Sequence, residues 1–140
     1  MRGEPPAYVA CLVADGDHMG RAIEQLADAK ANQVFSERLA GFPREARRIV
    51  EEAHLGALVY AGGDDVLAFL PVAEALACAK ALAESFRATL NGVVPDELTP
   101  TLSVGVGVSH AMETMASLLA LGRQAERAAK DGGRNALAVI

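Results

Sequence analysis

The chain has 140 residues, 51% of them hydrophobic, and a formal net charge of -5 at pH 7. Its length fits one domain, and its apolar fraction is sufficient for a packed core. No run of residues is long and apolar enough to cross a membrane, and residues 1–6 lack the apolar centre of a signal peptide, so we expect a soluble, cytoplasmic protein. The acidic balance argues against a broad nucleic-acid surface, which needs clustered Lys and Arg.

The first predicted element is a buried strand over residues 8–14, because this unbroken apolar run is typical of a central strand covered on both faces. Asp15 therefore lies at the carboxyl end of the strand, with Gly16 and Asp17 directly after it. A helix follows, and its inner face is predicted to carry Met19, Ile23, Leu26 and Ala27. Either Asp15 or Asp17 caps this helix, or these acids bind a metal ion beside a phosphate.

A second helical region carries apolar residues at helical spacing, and Gly41 and Pro43 predict a break in it. Its apolar positions are Phe35, Leu39, Ile49, Val50 and Ala53. Three arginines in this region have the spacing of one helix face, Arg44, Arg47 and Arg48. That face is either solvated or in contact with another domain or RNA.

A glycine turn with two adjacent acids, Gly62-Gly63-Asp64-Asp65, separates two apolar runs at 58–61 and 66–70 and predicts a hairpin. We expect the two glycines to adopt positive φ there. Both acids cannot turn into the core, and their mutual repulsion is relieved when a divalent cation binds between them. The alternative is that both are ordinary solvated turn residues.

The second half of the chain predicts a helix, a strand, a helix and a final strand. Pro71 begins the first helix, whose inner face comprises Val72, Ala75, Leu76, Ala79, Leu82 and Phe86. Residues 101–109 alternate small or polar with apolar residues, which predicts a half-buried strand. Gly105 and Gly107 in it permit close helix packing or the approach of a nucleotide. The last helix is expected to bury Met115, Leu118, Leu119, Gly122 and Ala125, and residues 136–140 form the last strand.

Lys130 and Arg134 flank the two glycines that end this last helix. Basic residues near a helix end followed by Gly are ordinary C-terminal chemistry. Beside two acidic clusters, however, the same side chains are reasonable counter-charges for phosphates.

Three segments in this order resemble a known family: residues 15–20 (Asp-Gly-Asp-His-Met-Gly), residues 62–65, and residues 129–135. The chain is similar to the GGDD-type cyclase palm domain of the large subunit of type III CRISPR-Cas effector complexes, most closely the type III-B branch. The resemblance implies an α+β, ferredoxin-like palm domain of the nucleotidyl cyclase or GGDEF type, with a central, mostly antiparallel sheet and helices packed on it. Residues 1–140 would be one palm excised from a larger multidomain subunit.

The implied activity is the joining of ATP molecules, 3' to 5', into cyclic oligoadenylate by two Mg2+ or Mn2+ ions. Asp15, Asp64 and Asp65 would be catalytic and, with the Gly16 carbonyl, would bind the metal ions. The residues expected to bind the nucleotide are His18, Met19, Gly20, Gly62, Gly63, Lys130 and Arg134. For His18 we expect the backbone N-H to make the contact.

The implied partners are ATP, the remainder of the large subunit with its second palm, and other effector subunits with guide RNA and target RNA. Two alternatives stay open, a stand-alone cyclase of the diguanylate type and a nucleotide-binding scaffold without catalysis. Against the first, Val66 replaces the Phe that follows the acids in that group, and Ile23 and Glu24 stand where that group has its guanine-reading Asn and Asp. The isolated domain is also a candidate for an inactive fragment.

Overall fold

The computed structural model describes residues 8–110 and 115–140, and it contains a five-stranded sheet with helices on both faces. The strands are β1 (Tyr8–Asp17), β2 (Ala57–Ala61), β3 (Asp65–Pro71), β4 (Thr101–His110) and β5 (Leu137–Val139). Their order across the sheet is β2-β3-β1-β4-β5. Neighbouring strands are antiparallel except β4 and β5, which are parallel. The predicted α+β fold with a mostly antiparallel sheet is therefore confirmed.

In the part of the chain that the structure describes, four α-helices connect the strands: α1 (Met19–Glu24), α2 (Ala29–Arg47), α3 (Val72–Leu90) and α4 (Met115–Asp131). A π-helical turn, Arg48–Ala53, follows α2 directly, and a short 3-10 turn, Asp96–Leu98, precedes β4. Within the described ranges, no helix has the length and hydropathy needed to span a membrane.

The predicted break at Gly41 and Pro43 is wrong, because α2 runs through both residues. A proline inside a helix removes one hydrogen bond and costs stability. Here the neighbouring side chain compensates by packing: Phe42 is fully buried and contacts Phe86 of α3 edge to face, with ring centroids 5.1 Å apart. Tertiary packing therefore overrides the local signal.

The main core lies between the sheet and the helices α2 and α3, and α4 covers part of the opposite face. Five predicted inward residues are instead exposed: Ile23 (47%), Ala27, Val72 (39%), Leu76 (54%) and Met115 (63%). Val72 and Met115 lie in the first turns of their helices, and Leu76 is one position away from the buried Ala75. In the two-turn helix α1, only Ala22 is buried.

The expectation of a half-buried fourth strand is also wrong, because β4 is covered on both faces. Its large side chains, Leu102, Val104 and Val106, join the main core. Its small residues face α4, and a Cβ added to Gly105 would lie 1.9 Å from the backbone N of Glu126. The alternation therefore reflects side-chain size, and the glycines permit close packing of α4 on the sheet.

The two cysteines, Cys11 and Cys78, are free and buried. Burial raises the pKa of Cys11 to about 11 and that of Cys78 to about 12, so both thiols stay protonated at neutral pH. The exposed arginine face at the end of α2 and the start of the π-helical turn is partly neutralised within these two segments, where Arg47 pairs with Glu51 at 3.1 Å and Arg48 pairs with Glu45.

Candidate metal and nucleotide site

Three carboxylates meet at one end of the sheet. Asp15 lies directly opposite Asp65 in the pairing of β1 with β3, and the Gly16 N-H donates a hydrogen bond of 3.0 Å to the Asp64 carbonyl. Carboxylate oxygens of Asp15, Asp64 and Asp65 lie within 4.8 Å of one another. The structure thus brings together the end of the first strand and the hairpin turn, as the sequence predicted.

The hairpin glycines do not have the backbone conformation that we expected, because neither Gly62 nor Gly63 has positive φ. Instead, the lack of a side chain at these glycines leaves room for neighbouring side chains. A Cβ on Gly62 would lie 2.6 Å from the Tyr60 hydroxyl, and one on Gly63 would lie 3.3 Å from Leu39. At Gly16, a Cβ would be 3.0 Å from the side chain of Asp64. Small residues on both segments therefore permit the acids to approach one another.

The protein neutralises this acidic cluster, Asp15, Asp64 and Asp65, only in part: the charge of Lys130 lowers the pKa of Asp64 and that of Asp65, but the causes that raise them are larger. The hydrogen bond with Asp15, burial and the negative charges of both neighbours raise the pKa of Asp65 to about 7. Burial, followed by the charge of Asp15, raises the pKa of Asp64. Three carboxylates at this spacing are a donor set that suits Mg2+ or Mn2+, and such an ion would relieve the repulsion.

Asp17 lies two residues along the same strand and is fully buried, with several hydrogen-bond donors around its carboxylate. These donors are the hydroxyls of Thr101 (2.7 Å) and Ser103 (2.8 Å), the Asn135 N-H (2.8 Å) and the Lys130 ammonium (2.8 Å). Burial alone would raise the pKa of Asp17, but the hydrogen bonds from Lys130, Asn135, Thr101 and Ser103 outweigh it and lower the pKa.

The capping explanation for these acids is wrong. The N-cap of α1 is His18, in the left-handed region with φ of 58°, and its side chain makes no capping hydrogen bond to the described residues. Asp17 instead ties the start of β4 to the end of α4. The sequence carries one signal for this role, the hydroxyls of Thr101 and Ser103 two residues apart on one strand, but this signal does not indicate which acid they contact.

Lys130 connects the buried carboxylate to the acidic cluster. Its Nζ lies 2.8 Å from Asp17 Oδ1, 3.3 Å from Asp15 Oδ2 and 3.0 Å from the Gly16 carbonyl oxygen, and its side chain is only 13% exposed. In this structure the lysine therefore donates to the carbonyl that we predicted as a metal ligand. Arg134 is more exposed, with Nη1 3.6 Å from Asp17 Oδ1.

The other predicted nucleotide-binding residues lie beside this end of the sheet. His18, Met19 and Gly20 begin the short helix α1 immediately after β1. The first N-H groups of a helix have no acceptor within the helix, so these groups are available in principle to a phosphate. Gly62 and Gly63 lie in the turn that carries the acids.

A cleft of about 370 Å³ opens next to the acidic cluster, on the face of the sheet that α4 partly covers. It is lined by Val13, Ala14, Asp15, Tyr60, Asp65, Val66, Leu67, Arg123 and Glu126. Burial and the charges of Asp15 and Asp17 raise the pKa of Glu126, while Lys130 lowers it. Sequence analysis missed Tyr60, Arg123 and Glu126; the one available signal was the helical spacing of Glu126 one turn before Lys130.

This fold, with acids at the end of the first strand and in the hairpin turn, is that of a nucleotidyl cyclase-like palm domain. The active GGEEF domain of a diguanylate cyclase from Vibrio cholerae superposes with a TM-score of 0.65 and 20% sequence identity, covering 94% of this chain and 82% of that one. Csm1, in a Csm1-Csm4 cassette in complex with cA4, superposes with a TM-score of 0.79 and 20% identity, covering 93% of this chain and 20% of that one.

The chain belongs to the family described as Cas10/Cmr2, second palm domain, which matches residues 8–138. The CRISPR system Cmr subunit Cmr2 of Pyrococcus furiosus is 36% identical over 137 residues, which cover 77% of this chain and 15% of that protein. The chain thus spans about 15% of the length of this relative. The predicted membership of the type III palm family is confirmed.

Proposed function

We propose that this domain transfers nucleotidyl groups and converts ATP to cyclic oligoadenylate within a type III CRISPR effector complex used in antiviral defence. The observation that carries the proposal is the convergence of Asp15, Asp64 and Asp65 within 4.8 Å. A solvated turn would not require a third acid from a different strand. The raised pKa of Asp64 and that of Asp65 support the proposal, because they reflect the close approach of these acids to one another and to Asp15.

In the proposed reaction, the 3'-hydroxyl oxygen of one nucleotide forms a bond to the α-phosphorus of another. The bond from that phosphorus to the pyrophosphate oxygen breaks, pyrophosphate leaves, and the hydroxyl proton passes to an acceptor at the site. Asp15, Asp64 and Asp65, with the Gly16 carbonyl, would hold two Mg2+ or Mn2+ ions. Such ions activate the attacking oxygen and neutralise the leaving group.

The remaining predicted residues would orient the triphosphate. Lys130 and Arg134 place positive charge at the end of β1, and the N-H groups of His18, Met19 and Gly20 begin the adjacent helix. Gly62 and Gly63 keep the hairpin turn free of side chains. Since Lys130 already contacts Asp15 and Gly16, it also limits the repulsion of the cluster before the substrate binds.

Because the chain corresponds to a small part of its Cmr2 relative, we propose that it works as one palm of a larger subunit. The partners would be the other palm of that subunit, the other effector subunits, and the guide and target RNA. Adenine as the base follows from the family resemblance.

The test is the double variant Asp64→Ala/Asp65→Ala in the full-length subunit, assembled with its complex and target RNA. We expect oligoadenylate formation from labelled ATP and Mn2+ to fall to background, because metal-ion activation and leaving-group neutralisation are lost together. The fold should persist, since surface changes of this kind usually alter stability by about 0.5 kcal/mol or less. Product mass and thermal unfolding are measured side by side.

A matched control is Asp96→Ala/Glu97→Ala, which removes two adjacent exposed acids away from the cluster. This control should retain wild-type product formation. Equal activity in the Asp64/Asp65 variant would refute the catalytic assignment. Cyclic dinucleotide from GTP in the wild type would favour the diguanylate alternative, and nucleotide binding without any product would favour the scaffold.

A further inference from the structure

Lys130 holds its ammonium group among four oxygen atoms at the end of β1. Its Nζ lies 2.8 Å from Asp17 Oδ1, 3.0 Å from the Gly16 carbonyl oxygen, and 3.3 Å from both the carbonyl oxygen and Oδ2 of Asp15. An ammonium group has three N-H donors, so these four acceptors exceed its capacity. The side chain reaches them from α4 and is only 13% exposed. Lys130 is therefore an internal cation with more acceptors than donors.

Two of these contacts involve residues that we propose as metal ligands, Asp15 and Gly16. A Mg2+ ion lies about 2.1 Å from each oxygen that binds it. Because Nζ of Lys130 lies 3.0 Å from the Gly16 carbonyl oxygen, an ion on that oxygen would lie within about 5 Å of the ammonium nitrogen. Two cations at this separation repel each other, and more so in partly buried surroundings than in water. The ammonium group and a divalent ion therefore compete for the same end of the strand.

Asp17 keeps the ammonium group in this position but does not depend on it. Its buried carboxylate also accepts hydrogen bonds from two hydroxyls and one backbone N-H, those of Thr101, Ser103 and Asn135. These three donors remain when the ammonium group moves, so the buried charge keeps partners. The contact of Lys130 with Asp15 Oδ2, 3.3 Å, is longer than its contact with Asp17, 2.8 Å. The contact that a metal ion would have to replace is thus the weaker one.

We propose that Lys130 is an internal counter-ion that competes with the divalent cation for Asp15 and the Gly16 carbonyl. Its charge acts on the whole acidic cluster, because it also lowers the pKa of Asp64 and that of Asp65 against the larger causes that raise them. The nucleotide-free domain therefore binds a divalent ion weakly. The inference rests on the metal site of the proposed function and adds a residue that controls how readily this site is loaded.

The metal affinity of the nucleotide-free chain is the direct test. Free Mn2+ gives an EPR signal that is lost on binding to protein, so a titration yields the Kd without any reaction. We expect Lys130→Met, which removes the charge and keeps an unbranched side chain, to lower the Kd for Mn2+ about tenfold or more. Arg127→Met removes the same charge from an exposed position of α4 and should change the Kd by less than about threefold. A Kd for Lys130→Met equal to or above that of the wild type would overturn the proposal.

Two further variants locate the ion and guard against unfolding. Adding Asp64→Asn/Asp65→Asn to Lys130→Met should abolish the gain in affinity, and a gain that persists would contradict the proposal because the ion then binds elsewhere. Asp17→Asn/Lys130→Met removes both charges of the buried pair, so it leaves no isolated carboxylate if Lys130→Met alone does not fold. It should show the same gain as Lys130→Met. Circular dichroism and thermal unfolding in EDTA check that each variant folds.

A measurement on the wild type needs no variant. The lysines of the chain are Lys30, Lys80 and Lys130, and the first two are exposed. After brief acetylation with acetic anhydride and peptide mapping by mass spectrometry, Lys130 should react slowly in EDTA. It should react about threefold or more faster in saturating Mg2+, because the ion displaces the ammonium group from the oxygens that hold it. The rates at Lys30 and Lys80 should stay the same. An unchanged or slower rate at Lys130 in Mg2+ would refute the competition.

The full-length subunit, assembled with its complex and target RNA, separates this inference from the proposed function. A gain in Mn2+ affinity in Lys130→Met, together with a wild type that makes no oligoadenylate, would refute the proposed function and leave the competition standing. Oligoadenylate formation by the wild type, together with unchanged Mn2+ affinity in Lys130→Met, would refute the competition alone.

Discussion

Asp15 and Asp17 are two residues apart on the same strand, yet the protein treats their charges in opposite ways. Asp17 is fully buried and accepts hydrogen bonds from two hydroxyls, a backbone N-H and Lys130, and together these lower its pKa. Asp15 stands opposite Asp65, whose pKa is raised to about 7, and shares its surroundings with Asp64.

This difference distinguishes an acid with a structural role from an acid that is a candidate for binding a ligand. A buried carboxylate is tolerated when protein donors satisfy it, because desolvation is then compensated. Asp64 and Asp65 have other acids as neighbours, and the charge of Lys130 compensates their repulsion only in part. We propose that a divalent cation compensates the remaining repulsion between Asp15, Asp64 and Asp65.

The largest expected effect on stability comes from removing the carboxylate of Asp17. Asp17→Ala leaves the Lys130 ammonium without its closest carboxylate and removes the acceptor for Thr101, Ser103 and Asn135. Removing one partner of a buried ion pair typically costs about 3 to 5 kcal/mol. Urea unfolding should show this loss, whereas Asp131→Ala, at an exposed aspartate near the end of α4, should cost less than about 0.5 kcal/mol. A loss below about 1 kcal/mol in Asp17→Ala would contradict the structural role.

A smaller effect on stability is expected when Mn2+ binds to the acidic cluster. Mn2+ that binds only the folded protein should stabilise it by about 2.7 kcal/mol at a free concentration 100 times the Kd. The gain should disappear in Asp64→Asn/Asp65→Asn and persist in Asp96→Asn/Glu97→Gln. Thermal unfolding with and without Mn2+ measures it. A gain of the same size in the Asp64/Asp65 variant would show that the ion binds elsewhere.

The acidic cluster was predictable from the sequence because its signals are local. An apolar run ending in Asp15 and a glycine turn bearing Asp64 and Asp65 each specify where an acid lies, and strand pairing brings them together. The role of Asp17 depends on Thr101 and Ser103, 84 and 86 positions away along the chain. Such partners become neighbours only in the fold, so the spacing of the two hydroxyls on one strand does not indicate that Asp17 is the acid they contact.

The wrong predictions for α2 and β4 also arise from contacts between residues that are far apart in the sequence. Gly41 and Pro43 indicate a helix break locally, but the packing of Phe42 on Phe86 maintains α2. The alternation in β4 was interpreted as one exposed face, although the small side of the strand is covered by α4. The cleft wall at Arg123 and Glu126 was missed for that reason too, because its position depends on how closely α4 approaches Gly105.

The smallest expected effect is on the pH dependence of the stability of the metal-free protein. Asp65 and Asp17 should contribute to this dependence with opposite signs. The pKa of Asp65 is raised from 3.8 to about 7 in the folded state, so between these values the folded protein binds more protons at this residue than the unfolded chain does. Its contribution to stability is therefore fully present below about pH 4 and is lost as the pH rises through about 7. Asp17, with its lowered pKa, contributes in the opposite direction, and its contribution is lost only in acid.

Because Asp65 is exposed and its charge is screened, the effect should stay below about 1 kcal/mol. Thermal unfolding in EDTA at pH 5 and pH 8 should show a smaller drop in Tm for Asp65→Asn than for the wild type, with Asp96→Asn matching the wild type. Equal drops in all three proteins would mean that Asp65 carries no unrelieved repulsion, and the contrast with Asp17 would then rest on burial alone.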